Sequence, residues 1–272
     1  MKKRLDILTT EKGLFDSREK AKASIMAGVV YVDGLRIDKP GTSIDEAAEI
    51  TVKEDLCPYV SRGGLKLEKA LKTWNFDLSN DANMPMKDVK AVDIGASTGG
   101  FTDCMLRNGA RKVYCIDVGY GQLDWKLRND DRVVNMEKCN VRYLDIDEIG
   151  RESVDFISID VSFISLKLVF PVASQLLHSE ACLVCLVKPQ FEAGREQVGK
   201  KGIVRDPAVH REVIENVISY GEDNGLHTHG LTFSPVTGTK GNIEYLLFMK
   251  KKKCDNRVDV CEIVEAAHKE LK

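Results

Sequence analysis

The chain has 272 residues, 43% of them hydrophobic and 30% charged, with a formal net charge of −2 at pH 7. That balance supports a sizeable core and excludes wholesale disorder. No apolar run reaches the roughly 18 residues of a membrane span, and the basic start "MKKRLDILTTEKG" lacks the apolar stretch of a signal peptide.

The chain is therefore expected in the cytoplasm, without a membrane partner. Only Cys182 and Cys185, of eight cysteines, have C-x-x-C spacing, and no second pair or spaced histidine completes a metal site. Neither a metal nor a structural disulfide is expected, and the pair reads as small hydrophobes inside a strand.

In chain order, "SREKAKASIMAG" predicts a helix with a serine start, an apolar face of Ala21, Ile25 and Met26, and a glycine stop at Gly28. "VVYVDGLRID" predicts a hairpin around Asp33-Gly34, and "TSIDEAAEITVKE" one more strand. These elements form a small α+β domain over residues 1–55, with a linker at 56–60 that runs on into the Gly63-Gly64 pair. "LKLEKALKTWNF" predicts a helix and "DLSNDANMPMKDVK" a loop.

From Lys90 the pattern alternates. The predicted strands are "KAVDIGA", "KVYCIDVG", "RVVNMEKC", "VDFISIDVS" and "ACLVCLVKP", with helices near 99–109, 120–129, 165–178 and 207–224. Strands alternating with helices imply a doubly wound parallel sheet over residues 61–272. "LHTHGLTFSPV" and "NIEYLLFMKK" predict an antiparallel pair at the sheet edge. The tail predicts a helix with Val260, Ile263, Val264, Ala267 and Leu271 on one face.

"AVDIGASTGGFTDCML" is a strand, a glycine turn and a helix start. It matches neither the dinucleotide fingerprint nor the P-loop. Asp93, Gly95, Ser97, Gly99 and Gly100 instead resemble the first motif of S-adenosylmethionine-dependent methyltransferases. Asp117 ends the second strand about twenty residues on, where a carboxylate can bind ribose hydroxyls. A plain glycine turn with Asp117 as a helix cap is the competing reading.

Residues 4–40 resemble the S4 RNA-binding domain, through Arg4-Leu5-Asp6, Ser17-Arg18, Ala21, Ile25, the Gly28–Gly34 stretch and Pro40. The resemblance implies that Arg4, Arg18, Lys20, Lys22 and Arg36 face structured RNA, continued by Arg62. Acids cluster in the second half of this domain, so a merely solvated helix face is the alternative. Phosphate contact depends on local patches rather than on net charge.

Three segments accompany "LVKPQFE": "SRGGLKL" with Lys66, "DFISIDVSFISL" with Asp160, and "TGTKGNIEYLLF" with Glu244. Lys188 sits at the carboxyl end of a strand buried on both faces, which Pro189 should end. Lys66, Asp160, Lys188 and Glu244 occur in the order and contexts of the K-D-K-E tetrad of FtsJ-like ribose 2′-O-methyltransferases.

With the S4-like start, the chain resembles the TlyA (haemolysin-A-like) family of ribosomal RNA methyltransferases over its whole length. The resemblance implies a Rossmann-like class I methyltransferase sheet, S-adenosyl-L-methionine as cofactor, and cytidine 2′-O-methylation in ribosomal RNA or ribosomal subunits by a monomer. It implies Lys188 as general base or steering group, Asp160 and Glu244 positioning it, and Lys66 orienting the ribose.

A lysine in that role must be able to lose a proton, which nearby cations favour and carboxylates oppose. Arg195, Lys200, Lys201 and Arg205, in "GREQVGKKGIVRD", are expected to face phosphate, and Ser162 and Phe163 to shape the nucleotide pocket.

Competing functions are weaker. A base-nitrogen methyltransferase would carry an Asn- or Asp-Pro-Pro-aromatic motif where this chain has "DVSF". A pseudouridine synthase has no use for the glycine loop. A non-catalytic RNA-binding assembly factor, or a membrane-active protein as "haemolysin" suggests, stay as alternatives.

Overall fold

Asp33 and Gly34 both adopt positive φ, 49° and 77°, as the two central residues of a tight hairpin turn of the primed type require. They join β2 (Val30–Val32) to β3 (Leu35–Arg36) in the N-terminal unit of a computed structural model that describes residues 2–52, 57–75, 88–254 and 258–271. The chain divides into two compact units, Met1–Ser61 and Arg62–Lys272.

In the first unit, β1 (Lys2–Arg4) leads into α1 (Leu5–Glu11), and α2 (Arg18–Ala27) precedes β2. Ser17 caps α2 by accepting from the Lys20 amide, and Gly28 ends it in the left-handed region. Leu5, Ile25, Val30 and Val32 form the small core. Met26 is 58% exposed rather than part of the buried face.

"TSIDEAAEITV" forms two strands, not one. β4 (Ser43–Asp45) pairs with β1, and β5 (Ile50–Val52) pairs with β2. The first residue of the predicted 56–60 linker and residues 77–87 of the predicted loop lie outside the described residues.

The second unit opens with α3 (Gly63–Thr73). Gly63 and Gly64 belong to its first turn, not to a linker, and Gly64 is buried with Leu67, Ala70 and Leu71. Then come β6 (Lys90–Ile94), α4 (Gly100–Arg107), β7 (Lys112–Ile116), α5 (Trp125–Arg128), β8 (Val133–Met136), α6 (Ile146–Ile149), β9 (Val154–Ile159) and α7 (Phe170–Leu176). The chain finishes with β10 (Leu177–Val187), α8 (Pro189–Glu192), α9 (Pro207–Glu222), β11 (His227–Phe233), β12 (Tyr245–Lys250) and α10 (Val260–Glu270).

The seven-stranded sheet has the order β11-β12-β10-β9-β6-β7-β8. β10, β9, β6, β7 and β8 run parallel, while β12 is antiparallel to both its neighbours. The terminal pair therefore lies at one edge, with β12 inserted against β10. The helix predicted at 120–129 shrinks to the four residues of α5, and α7 stops early because the chain is already extended at Leu177. From Ala181 to Val187 every residue of β10 is at most 1% exposed, because the sheet is covered on both faces. Each large apolar side chain so buried contributes about 1.5–3 kcal/mol. Pro189 ends this strand as the first residue of α8, where its missing N–H is harmless.

β7 and β8 extend the sheet to one side of β6, and β9 and β10 to the other. This is the topological switch point at which open α/β sheets hold ligands, outside the carboxyl ends of the strands.

Candidate active site

The loop after β6 crosses the switch point in contact with the end of β9. Gly95 has φ +85°, and a Cβ there would lie 2.4 Å from the Asp160 carbonyl oxygen. The Asp160 amide in turn donates to the Ile94 carbonyl at 2.9 Å. Glycine is required so that two backbones can touch, which fixes where the Asp160 side chain starts.

A cavity of about 490 Å³ opens beside this contact. Gly95, Ser97, Asp117, Asp160, Ser162 and Phe163 line it, with Ile116, Val118, Asn140, Val141, Arg142 and Ile164. Asp117 accepts from the Ser97 amide at 2.8 Å and from the Gly119 amide at 2.7 Å, so its carboxylate is held at the cavity wall. Four lone-pair sites on a carboxylate leave capacity for further donors.

Three residues of the glycine motif do not line it. Asp93 is fully buried and accepts from Thr102 Oγ1 at 2.6 Å and Ser158 Oγ at 2.9 Å. Burial pushes its carboxyl up to about 6, against those two hydrogen bonds. Asp93 braces β6 against α4 and β9 and does not line the cavity. Gly99 and Gly100 begin α4 instead, and a Cβ on Gly99 would meet Leu127 and Leu123. Val118, Asn140 and Val141 were missed by sequence reasoning; their signal was position alone, just past the second and third parallel strands.

The four tetrad candidates come together in space. Lys188 Nζ lies 2.5 Å from Asp160 Oδ1 and donates to Ser162 Oγ at 3.1 Å. Lys66 Nζ donates to Glu244 Oε2 at 2.7 Å and stands 3.9 Å from Asp160 Oδ2. Gln190 Nε2 donates to the other oxygen of Glu244 at 3.3 Å.

Topology explains the meeting. β9 and β10 are parallel neighbours, so Asp160 and Lys188 leave the sheet at the same edge. β12 is antiparallel, with Tyr245 opposite Val187, so the residue before it, Glu244, enters at that edge too. Lys66 comes from the second turn of α3.

Lys188 is 8% exposed and Glu244 2%. Burial opposes the Lys66 ammonium, but the Asp160 and Glu244 carboxylates outweigh it and raise its pKa. The result is two cations and two carboxylates in a nearly dry cluster, next to a cavity open to a ligand. Glu192 accepts from Ser165 Oγ at 2.7 Å and from the Leu166 amide at 2.8 Å, tying the turn after Lys188 to the loop after Asp160.

Phe163 is 90% exposed at φ +64°, an uncommon conformation for a bulky residue, and its ring packs 4.8 Å from that of Phe191.

The candidate RNA-facing cations divide. Arg62, Arg195, Lys200, Lys201 and Arg205 are exposed on the second unit. In the first unit, Arg4 and Arg18 both donate to the fully buried Asp6, at 3.0 and 2.9 Å, and are half exposed. Arg4 and Arg18 hold the Asp6 carboxyl down at about 2. Lys20 pairs with Asp16 at 2.7 Å, Lys22 is half-buried, and Arg36 is exposed with its guanidinium over Gly28. The resemblance to the S4 domain implies these cations but not the pairing of Asp6 with two of them.

Among the described residues no cluster of histidine, cysteine, aspartate or glutamate is arranged to hold a metal ion, and no helix is long and apolar enough to cross a membrane.

Residues 59–251 match the FtsJ-like methyltransferase family and residues 3–50 the S4 domain. The chain is 52% identical to the "Putative rRNA methyltransferase YqxC" of Bacillus subtilis, over 100% of this chain and 96% of that protein. It is 39% identical to the "16S/23S rRNA (cytidine-2'-O)-methyltransferase TlyA" of Mycobacterium tuberculosis, over 98% of this chain and 97% of that one. A solved structure, "Putative hemolysin from Streptococcus thermophilus", superposes with a TM-score of 0.76 at 48% identity, covering 99% of this chain and 96% of its own. The chain therefore belongs to the FtsJ-like methyltransferases, in the TlyA (haemolysin-A-like) family that joins an S4 domain to that fold.

Proposed function

We propose that this protein methylates the 2′-hydroxyl of a cytidine ribose in ribosomal RNA, in the cytoplasm, with S-adenosylmethionine as cofactor. The observation that carries the reading is the Lys188–Asp160 pair joined to Lys66–Glu244 beside the cavity that Asp160 and Asp117 line. The curated relatives named as ribosomal RNA cytidine 2′-O-methyltransferases supply the substrate class.

The cavity suits the cofactor chemically. Asp117 offers acceptors for ribose hydroxyls, Val118, Val141 and Ile164 offer apolar walls for a flat base, and Asp160 offers negative charge near a sulfonium. When bound, the cofactor supplies an electrophilic methyl group.

The protein's own groups do the rest. Lys188 steers the ribose hydroxyl, and in its neutral form, after shedding its extra proton, it takes the hydroxyl proton as the oxygen becomes nucleophilic. Asp160 fixes Lys188 through the 2.5 Å contact, Glu244 fixes Lys66 at 2.7 Å, and Lys66 orients the ribose so that oxygen and methyl carbon are aligned. The exposed Phe163 stacks on the target base once it is unstacked from the RNA. Residues 1–55 form the RNA-binding part, 56–60 the linker and 61–272 the catalytic part. Ribosomal RNA or a subunit is the partner.

The test is transfer of labelled methyl from S-adenosylmethionine to purified small and large ribosomal subunits and to naked ribosomal RNA, followed by nucleoside analysis. Label in 2′-O-methylcytidine, lost in Lys188→Ala, supports the reading. Label on a base overturns the tetrad's role, and absence of label on every substrate overturns the activity.

A further inference from the structure

Glu244 is flanked by two residues that the chemistry above does not use. Asn242, 2% exposed, accepts from the Val204 amide through Oδ1 at 3.2 Å and donates through Nδ2 to the Gly202 carbonyl at 2.9 Å. Its own carbonyl accepts from the Gly238 amide at 2.8 Å, closing the turn that wraps the Glu244 carboxylate. A Cβ on Gly238 would lie 2.0 Å from Glu244 Oε1.

On the other side, the Tyr245 hydroxyl lies 2.7 Å from Nδ1 of the fully buried His210, whose Nε2 is 3.0 Å from the Val204 carbonyl. A carbonyl can only accept, so Nε2 carries the proton and the hydroxyl donates to Nδ1.

The Val204 amide and the Gly202 carbonyl are thus fastened to Asn242, and the Val204 carbonyl to His210, which Tyr245 holds in turn. The segment they hold is itself a closed turn. The Gly202 amide donates to Gly199 at 2.7 Å and the Gly199 amide to Ile203 at 3.1 Å. This turn carries the exposed cations Lys200, Lys201 and Arg205. A buried amide with several bonds transmits position because each bond is costly to leave unmade.

We infer that Asn242 and His210 are positioning residues that make the basic turn 199–205 and Glu244 one mechanical unit, so that phosphate held by the turn orders the tetrad. The inference rests on the reading proposed above. It requires that losing the turn's cations weakens chemistry and not only binding.

The experiment measures kcat, KM for the ribosomal subunit that the parent methylates, and the dissociation constant of S-adenosylmethionine. The variants are Lys200→Ala/Lys201→Ala, Asn242→Ala and their combination. Lys200→Ala/Lys201→Ala replaces exposed side chains and folds. It should lower kcat at saturating RNA by about fivefold or more, with cofactor affinity within about twofold. Asn242→Ala should show the same pattern, and the combined variant should lose little beyond Asn242→Ala, because the two act through one connection.

A conservative rescue completes the series. His210→Gln keeps a donor for Val204 and should retain more activity than His210→Leu. The inference is overturned if Lys200→Ala/Lys201→Ala raises KM with kcat within about twofold of the parent, or if the losses in the combined variant multiply. Should Asn242→Ala fail to fold, the kcat of the lysine variant decides alone. An inactive parent overturns both readings, whereas failure of this one shows only in the variants.

Discussion

The Cβ position of Gly95 is 2.4 Å from the carbonyl oxygen of Asp160. One residue opens the loop after β6 and the other is a tetrad candidate, so the cavity lining and the charged cluster meet at one backbone junction, which the Asp160 amide also holds through the Ile94 carbonyl. Neither side of the site can shift without the other.

Gly95→Ala should therefore damage both. The φ of +85° alone disfavours alanine, and the clash falls on backbone rather than on a flexible side chain. A loss of stability of about 1–3 kcal/mol is expected, with weakened S-adenosylmethionine binding and methylation together. Gly13→Ala is the control: it shares a positive φ, but its Cβ would meet nothing within 4 Å. Thermal unfolding and cofactor titration separate the two; equal effects would show that Gly95 matters only for its φ.

Lys188→Ala should lower kcat by about 10²–10⁴-fold while cofactor affinity stays near the parent's. Removing Lys188 also leaves Asp160 with only the more distant Lys66, at 3.9 Å, so stability falls as well. Melting temperature must therefore be measured beside the rate. A folded variant at parental rate would remove Lys188 from the chemistry.

Phe163 stores strain in its positive φ and is almost fully exposed. Phe163→Gly relieves that strain, so the variant should be at least as stable as the parent while methylating RNA more slowly. Chemical denaturation together with a kcat/KM measurement checks both halves. Undiminished kcat/KM would assign the ring to packing against Phe191.

Two buried groups oppose each other in acid. Burial lowers His210 from 6.5 to about 4, so the unfolded chain binds that proton first. Its contribution is complete above about pH 6.5 and is lost as pH falls through about 4. Burial raises Asp93 from 3.8 to about 6, so the native state keeps a proton that the unfolded chain has released. That contribution is complete below about pH 3.8 and is lost as pH rises through about 6. Between roughly pH 4 and 6 the slopes have opposite signs. Asp93→Asn should make stability rise with pH across this window, and His210→Gln should make it fall. Urea unfolding at a series of pH values reads both.

Arg195, Lys200, Lys201 and Arg205 are exposed, as phosphate-facing groups must be. Each one that neutralises a phosphate should, when changed to alanine, reduce the slope of log affinity against log salt by about 0.7–0.9. RNA binding measured across a salt series shows which do; an unchanged slope assigns that residue to a merely solvated turn.

Much of this molecule is local, and the local part was legible without coordinates. The Asp33-Gly34 hairpin, the capped helix between Ser17 and Gly28, the buried run ending at Lys188 and the alternation that makes a parallel sheet all follow from turn chemistry and residue period, which act over a few positions. The four tetrad candidates were readable only through the resemblance to FtsJ-like methyltransferases; the parallel strands and the reversed β12 explain why Asp160, Lys188 and Glu244 share one edge.

What only the tertiary structure decided is the fate of each polar group. Asp93 and Asp117 read alike as acids ending strands, yet one is sealed between Thr102 and Ser158 and the other faces the cavity. Arg4 and Arg18 read as RNA contacts, and the structure adds that both pair with the buried Asp6 while staying half exposed. Asn242 read only as part of "GNIEY", with nothing to show the turn that its side chain fastens. Hydrogen-bond partners come from residues far apart in the chain, 65 positions between Ser158 and Asp93 and 178 between Lys66 and Glu244. No short-range pattern encodes them, because desolvation is a property of the packed whole.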